Sequence, residues 1–407
     1  MRWTPSQTSK RTLRLILIPR NVKVALILLA GVIASSRAAP VQPSSTVWSA
    51  TPTAAIVGIA AADSTVFALL KSGVLEARRA NTGQLQWSLP LGNARRWVAL
   101  ETSNSQLLAR FESPSAAGMV AIDARARRVE WAWWAPSAGQ HDVGATRVIG
   151  VAGGLVVWAE TVVGAYMATR VYGIAASTGK QAWSVSGTGV FGIAKNALYL
   201  SDSPFSGPEV LTVKRVTLSD GRVKTFNLDP PVRSTCQKSA IVGVNGPLGI
   251  TGERVWAMVQ DGCGAFAVSM NSAGSTQTLM RDLPRAAAAT DSLPDLLRVD
   301  DSTRVYWLES KTPNVTSNAA GRLVALDLAT GRKIVYGEDQ FIRPRIQRFG
   351  SSLMVVSAGK LTVFDEKTGA TALAALAFNA LEASATKQVL IVHDGVRLVR
   401  IRNHSSR

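Results

Sequence analysis

A pattern of thirteen residues recurs along this chain, and such a recurrence limits the possible folds more sharply than any other feature of it. Residues 75–87 read LEARRANTGQLQW, 119–131 read MVAIDARARRVEW and 171–183 read VYGIAASTGKQAW. They align without a gap, and each ends in a tryptophan: Trp87, Trp131, Trp183. Further copies begin at Leu323 (LVALDLATGRKIV) and Leu361 (LTVFDEKTGATAL), with weaker ones at Val213 and Phe266. Each copy is an alternating strand, a turn at Thr-Gly or Asp-Gly, and a second strand. Gly83, Gly179, Gly221, Gly274, Gly331 and Gly369 occupy the turn, where the chain needs a residue that takes positive φ without strain. One copy departs, with Arg127 where the others carry glycine.

Another apolar strand precedes each copy. TVFALL, QLLARF, LVVWAE, ALYLSD, RVWAMVQ, RVYWLES, LMVVSA and QVLIVH make eight such strands. Turns at Ser72-Gly73, Ala117-Gly118, Asp261-Gly262, Ala320-Gly321, Ala358-Gly359 and Asp394-Gly395 join these strands to the copies. The unit is hairpin upon hairpin, a four-stranded antiparallel meander with a period of about 38 to 57 residues, near that of a propeller blade. The two ends complement each other. The last unit, from Gln388, stops before its outer strand, while Thr46-Val47-Trp48-Ser49 resembles Leu85-Gln86-Trp87-Ser88. The N-terminal strand is therefore expected to complete the last blade. The fold class is all-β: a single eight-bladed β-propeller over 47–403, with 404–407 as a tail. A β-helix or a two-sheet sandwich fits neither the four-strand period nor the split unit.

The strand–A-x-D-x-x-T-G-x-x-x-W pattern resembles the repeat of the pyrroloquinoline-quinone (PQQ) propellers, and it covers nearly all of residues 47–403. In that family the outer-strand tryptophan packs on the neighbouring blade, so the resemblance implies this role for Trp48, Trp87, Trp131 and Trp183. One branch holds quinoprotein alcohol dehydrogenases, which bind PQQ with calcium on acidic and amide ligands and stack it on a ring of adjacent cysteines. Cys236 and Cys263 are not adjacent, and the acidic group Asp291, Asp295, Asp300 and Asp301 resembles no calcium loop. The other branch is non-enzymatic, the BamB-like outer-membrane assembly propellers. Length, blade number and leader resemble this branch, although its lipid-bearing cysteine is absent. Longer insertions are expected near 134–150, 202–212 and 275–304, and loops of that kind carry function in propellers.

Residues 1–39 read as an export signal. A basic stretch ends at Lys23, an apolar run covers Val24–Ala34, and Ser36 and Ala38 suit cleavage after Ala38 or Ala39. The run is too short to span a bilayer. A long basic start and a second apolar patch at Leu13–Ile18 leave an uncleaved anchor as the competing reading, and 40–46 form a spacer. In an exported chain the pair Cys236 and Cys263 suggests a disulfide, with two buried thiols as the alternative. Two cysteines and the scattered His141, His393 and His404 match no zinc spacing. The formal charge of +18 suits acidic partners, but the arginines lack the interleaved aromatics of a single-strand nucleic-acid groove. The expected function is a non-enzymatic scaffold in the periplasm or cell envelope, monomeric, binding a protein partner, with peripheral or no membrane contact and no nucleic acid. No catalytic residue, cofactor or metal ligand is assigned. A quinoprotein dehydrogenase and a binder of anionic envelope polymers are the alternatives.

Overall fold

A computed structural model describes residues 46–401 apart from 93–95, 104–105, 114–115, 137–141, 164–167, 203–210, 229–242, 252–253, 262–263, 272–278, 283–303, 310–319, 343, 350, 381 and 387–388. The alternating segments form strands, and these assemble as an eight-bladed β-propeller. Blade I comprises β2 (Ile56–Ala62), β3 (Thr65–Leu70), β4 (Val74–Arg79) and β5 (Leu85–Pro90). Blade II is β6 (Arg96–Ser103), β7 (Gln106–Ser113), β8 (Ala116–Asp123) and β9 (Arg128–Trp134). Blade III is β10 (Asp142–Ala152), β11 (Leu155–Val163), β12 (Ala168–Ala175) and β13 (Gln181–Gly187). Blade IV is β14 (Gly189–Ala194), β15 (Ala197–Ser201), β16 (Leu211–Thr217) and β17 (Val223–Leu228). Blade V is β18 (Gly243–Thr251), β19 (Arg254–Asp261), β20 (Gly264–Asn271) and β21 (Leu279–Asp282). Blade VI shows three strands among the described residues, β22 (Arg304–Glu309), β23 (Gly321–Asp327) and β24 (Lys333–Phe341). Blade VII is β25 (Arg345–Phe349), β26 (Ser352–Ser357), β27 (Gly359–Asp365) and β28 (Thr371–Ala380).

The eighth blade is made from both ends of the chain. β29 (Glu382–Thr386), β30 (Val389–His393) and β31 (Leu398–Ile401) are completed by β1 (Thr46–Ala50), which pairs antiparallel with β31, Thr46 opposite Ile401 and Trp48 opposite Arg400. The split last unit and the orphan N-terminal strand are thus one sheet.

Closure is visible in the core. Because side chains alternate across a strand, each blade feeds two apolar layers. Val156 and Trp158 of β11 pack with Trp131 and Trp133 of blade II, whereas Leu155, Val157 and Ala159 pack with Leu198 and Leu200 of blade IV. Every neighbouring pair of blades shares such a cluster, including blades VIII and I, where Ile391 and Leu398 meet Val66, Ala68 and Leu70. The ring is closed by burial as well as by hydrogen bonds.

The innermost strands carry a repeated device. In β2 the partner register jumps between Ile56 and Gly58, leaving Val57 as an extra residue. The same one-residue bulge falls at Val98 in β6, Ile149 in β10, Phe191 in β14 and Leu248 in β18. A bulge bends and twists its strand, which suits the crowded inner edge. The residue after the bulge is Gly58, Ala99, Gly150, Gly192 or Gly249. A Cβ on Gly58 would lie 2.7 Å from the Leu100 nitrogen in the next blade, so the small residue is needed for the approach of neighbouring inner strands.

Three sequence expectations are corrected. Residues 142–150, read as part of an insertion, form most of inner strand β10; their glycines blur the alternation because the inner edge has little room. Gly118 is not a turn residue: it pairs with Phe111 inside β8, and a Cβ there would fall 2.6 Å from the Phe111 ring. Gly321 likewise lies in β23, opposite Phe341.

Candidate interaction surfaces

The motif hairpins are wider than a two-residue turn. In blade I the Gly83 amide donates to the Arg79 carbonyl at 2.8 Å, and the Arg79 amide donates to the Gln84 carbonyl at 2.9 Å. The four residues Ala80–Gly83 form the loop, with Gly83 last at φ 73°. Gly179, Gly221, Gly331 and Gly369 close their loops in the same way, at φ of 67°, 70°, 74° and 75°. Where the motif has aspartate, its carboxylate caps the loop. Asp365 Oδ1 accepts from the Thr368 hydroxyl at 2.7 Å and the Thr368 amide at 2.8 Å. Those bonds, with one from the Lys367 amide, hold the Asp365 carboxyl below its ordinary range. Asp327 is also lowered: burial opposes its ionisation, but bonds from Thr330 and the charge of Arg304 outweigh it.

The tryptophans meet these loops across the blade boundary. Trp48 Nε1 donates to the Ala80 carbonyl at 2.9 Å, Trp131 Nε1 to the Ala176 carbonyl at 2.7 Å, and Trp183 Nε1 to the Leu218 carbonyl at 2.8 Å. In each case the acceptor stands three residues before the loop glycine of the next blade. The indole also covers that glycine: a Cβ on Gly83, Gly179 or Gly221 would fall 2.6–2.7 Å from Trp48, Trp131 or Trp183 respectively. The motif glycine therefore answers two demands, positive φ and a neighbouring ring with no space above it.

Trp87 is the exception, and its partner loop is the one that carries Arg127. Arg127 adopts φ 56°, which a side chain disfavours by about 1–2 kcal/mol. Trp87 is half-buried and leans on Phe67 of its own blade, with ring centres 5.9 Å apart. At the boundary of blades VI and VII the backbone takes the tryptophan's place, since a Cβ on Gly369 would fall 2.1 Å from the Val335 carbonyl oxygen. Gly274, Cys236 and Cys263 lie outside the described residues, as do Asp291, Asp295, Asp300 and Asp301.

The sequence reading missed the buried polar groups. Glu366, 4% exposed, sits between blades VI and VII. Its carboxylate faces Arg304 at 3.2 Å and Arg348 at 2.8 Å, and accepts from the Tyr306 hydroxyl at 3.0 Å. Its carbonyl accepts from Arg304 and from the Tyr336 hydroxyl, both at 2.8 Å. Burial, with Tyr306 beside it, pushes the Tyr336 phenol far above its ordinary value and keeps it a donor. A second cluster lies where blade VIII leads into blade I. Arg78 forks onto Glu76 at 2.9 and 2.6 Å and reaches the Gly83 carbonyl, while the Thr53 hydroxyl donates to the other oxygen of Glu76 at 3.1 Å. A third joins blades II and III, where Arg110 bonds Glu101 at 3.0 Å and the Thr146 carbonyl. Glu160 is fully buried in β11 and accepts from the Tyr172 hydroxyl at 2.8 Å. Burial raises its carboxyl above the ordinary value, against the pull of Tyr172 and Arg170. Among the described residues, no group of three or more His, Cys, Asp or Glu side chains is placed to hold a metal ion.

Closed blades, shared apolar layers and docked hairpins define this protein as an eight-bladed β-propeller. Its fold is similar to that of BamB and of a quinohemoprotein alcohol dehydrogenase. The structure is similar to BamB from Moraxella catarrhalis, with 14% identity, 89% of this chain and 98% of that chain covered and a TM-score of 0.52. It is similar to a quinohemoprotein alcohol dehydrogenase from Pseudomonas putida HK5, with 12% identity, coverage of 90% and 78%, and a TM-score of 0.52. Sqt1 from Saccharomyces cerevisiae gives 11% identity, coverage of 89% and 100%, and a TM-score of 0.54. At these identities the likeness is one of fold. No protein family and no curated protein sequence matches the chain.

Proposed function

We propose that this chain is an exported, non-enzymatic scaffold of the periplasm or cell envelope that binds another protein, in the manner of the BamB-like assembly propellers it resembles. The observation that carries this reading is the repeat that resembles the PQQ propellers, taken together with a likeness of fold to BamB over 98% of that chain. The buried carboxylates of Glu76 and Glu366 fit the same reading, because their partners commit Glu366 to joining blades VI and VII and Glu76 to holding the connector into blade I. In this reading residues 1–39 direct export, 40–46 are a spacer, Trp48, Trp131 and Trp183 hold adjacent blades by docking on their hairpins, and Trp87 does so by packing against the apolar layer shared by blades I and II. Cys236 and Cys263 form a disulfide, and the propeller is a monomer.

Cross-linking of the tagged chain in envelope extract tests the central claim. A specific protein retained after stringent washing is expected, and recovery of none overturns it. Mass spectrometry of the exported product should find a new N-terminus after Ala38 or Ala39 and no free thiol at Cys236 or Cys263. The likeness to the alcohol dehydrogenase supports a second reading, a quinoprotein. Dye-linked alcohol oxidation after addition of PQQ and calcium would replace the scaffold with that enzyme.

A further inference from the structure

The motif hairpins share one edge of the ring. In a four-stranded meander the first and third hairpins point the same way, so every loop from third to fourth strand lies on one face of the propeller. The six such loops that the structure describes each expose a cation: Arg79, Arg125, Lys180, Arg222, Arg332 and Lys367. Blade II adds Arg127 and Arg128.

The acids of these loops offset only part of this outward charge. Asp123, Asp327 and Asp365 turn their carboxylates into the loops' own amides. Asp220 is paired with Arg222 at 3.2 Å. Lysine or arginine thus stands outside in each described loop, while three of the four aspartates are bonded within their loops and the fourth, Asp220, matches Arg222. Beside the cations stand exposed aliphatic side chains, Leu85 at 46%, Val129 at 41% and Val223 at 47%, each two residues beyond the end of its loop.

We propose that this face is a docking surface for an anionic lipid bilayer. With Arg222 matched by Asp220, the remaining cations are spread over five blades around a ring rather than gathered in one cleft, so a flat anionic surface can meet many of them at once. Basic residues near such a surface are drawn to it, and neighbouring aliphatic side chains can enter the headgroup layer. The attraction is screened by salt. This surface is separate from the protein-binding reading and stands whether or not a protein partner exists.

The test is co-sedimentation of the full chain with vesicles of phosphatidylglycerol and phosphatidylcholine, compared with phosphatidylcholine alone. Two triple variants separate the faces. One neutralises the hairpin face (Arg125→Gln, Lys180→Gln, Arg332→Gln). The other neutralises exposed cations on the opposite face (Lys71→Gln, Arg96→Gln, Lys360→Gln). Circular dichroism confirms that both fold, and both keep the basic N-terminal residues, so any difference between them reads the propeller alone. We expect salt-sensitive binding to the anionic vesicles, at least tenfold weaker in the hairpin-face variant and within about twofold of the parent in the other. Equal binding to neutral vesicles, or equal losses in the two variants, would overturn the proposal. So would binding of soluble polyphosphate with no binding to vesicles, which would make the face a polymer site instead.

Discussion

The boundary between blades III and IV and the boundary between blades VI and VII solve one problem by different chemistry. At the first, Trp183 lies over Gly221 and donates to the Leu218 carbonyl, so an apolar ring with one polar atom joins the blades. At the second no tryptophan is present. Val335 stands at the corresponding place, and Glu366 gathers Arg304, Arg348 and Tyr306 below it. The apolar joint depends on shape and on burial of a large surface. The polar joint depends on each buried charge having its partners, since desolvation of a carboxylate is tolerable only when it is paired and hydrogen-bonded. The ring tolerates such variety because each blade boundary buries its own cluster and answers only to its two neighbours.

Removing the ring at the apolar joint should have the largest effect. Trp183→Ala is expected to lower the free energy of unfolding by about 3–5 kcal/mol in a denaturant titration. A loss below about 1 kcal/mol would mean that the indole is not what holds the joint. Glu366→Ala, which takes away the anion shared by Arg304 and Arg348, should cost about 3 kcal/mol. If it costs much less than Trp183→Ala, the polar joint is the weaker of the two. Gly179→Ala adds a methyl group under Trp131 at φ 67° and should cost about 2 kcal/mol, combining backbone strain with overpacking.

Two smaller effects probe exceptions within the Trp-bearing half. The Glu160 carboxyl is raised above 4.5 in the folded chain, so the native state holds its proton more tightly than the unfolded state does. The resulting stability is fully present below the unfolded value and is lost as pH rises through the folded one. Glu160→Gln should therefore stabilise the protein more at pH 7 than at pH 4; thermal unfolding at the two pH values compares them, and an equal effect would refute the sign. Arg127→Gly relieves the strained φ but adds freedom to the unfolded chain, which offsets part of the gain. A net stabilisation of about 0.5 kcal/mol is expected, together with a blue shift of tryptophan emission if Trp87 then seats on the loop.

The apolar joints were readable because their parts are local and periodic. A tryptophan closes each of three repeats, a glycine occupies a constant place before it in two of them, and the strand at Trp48 complements the last unit, which begins at Gln388. The polar joints were not readable. Arg304, Tyr306, Tyr336, Arg348 and Glu366 come from three strands and a loop, at intervals that match no repeat. The inner-strand bulges left a fainter trace, a small residue after two apolar ones in Ile56-Val57-Gly58 and Val190-Phe191-Gly192, which looks like loop composition until the register shows the extra residue.

The sequence by itself determined the repeating unit, the count of eight and the joining of the two ends, because alternation, turn glycines and tryptophan spacing are properties of neighbouring residues. Only the tertiary structure decided what each repeat touches. It placed Gly83, Gly179 and Gly221 under the indoles of the preceding blades, gathered dispersed charges around Glu366, and collected one cation from each described hairpin onto a single face. Contacts of that kind depend on how a closed ring brings distant strands within a few ångströms, and no local pattern carries that distance.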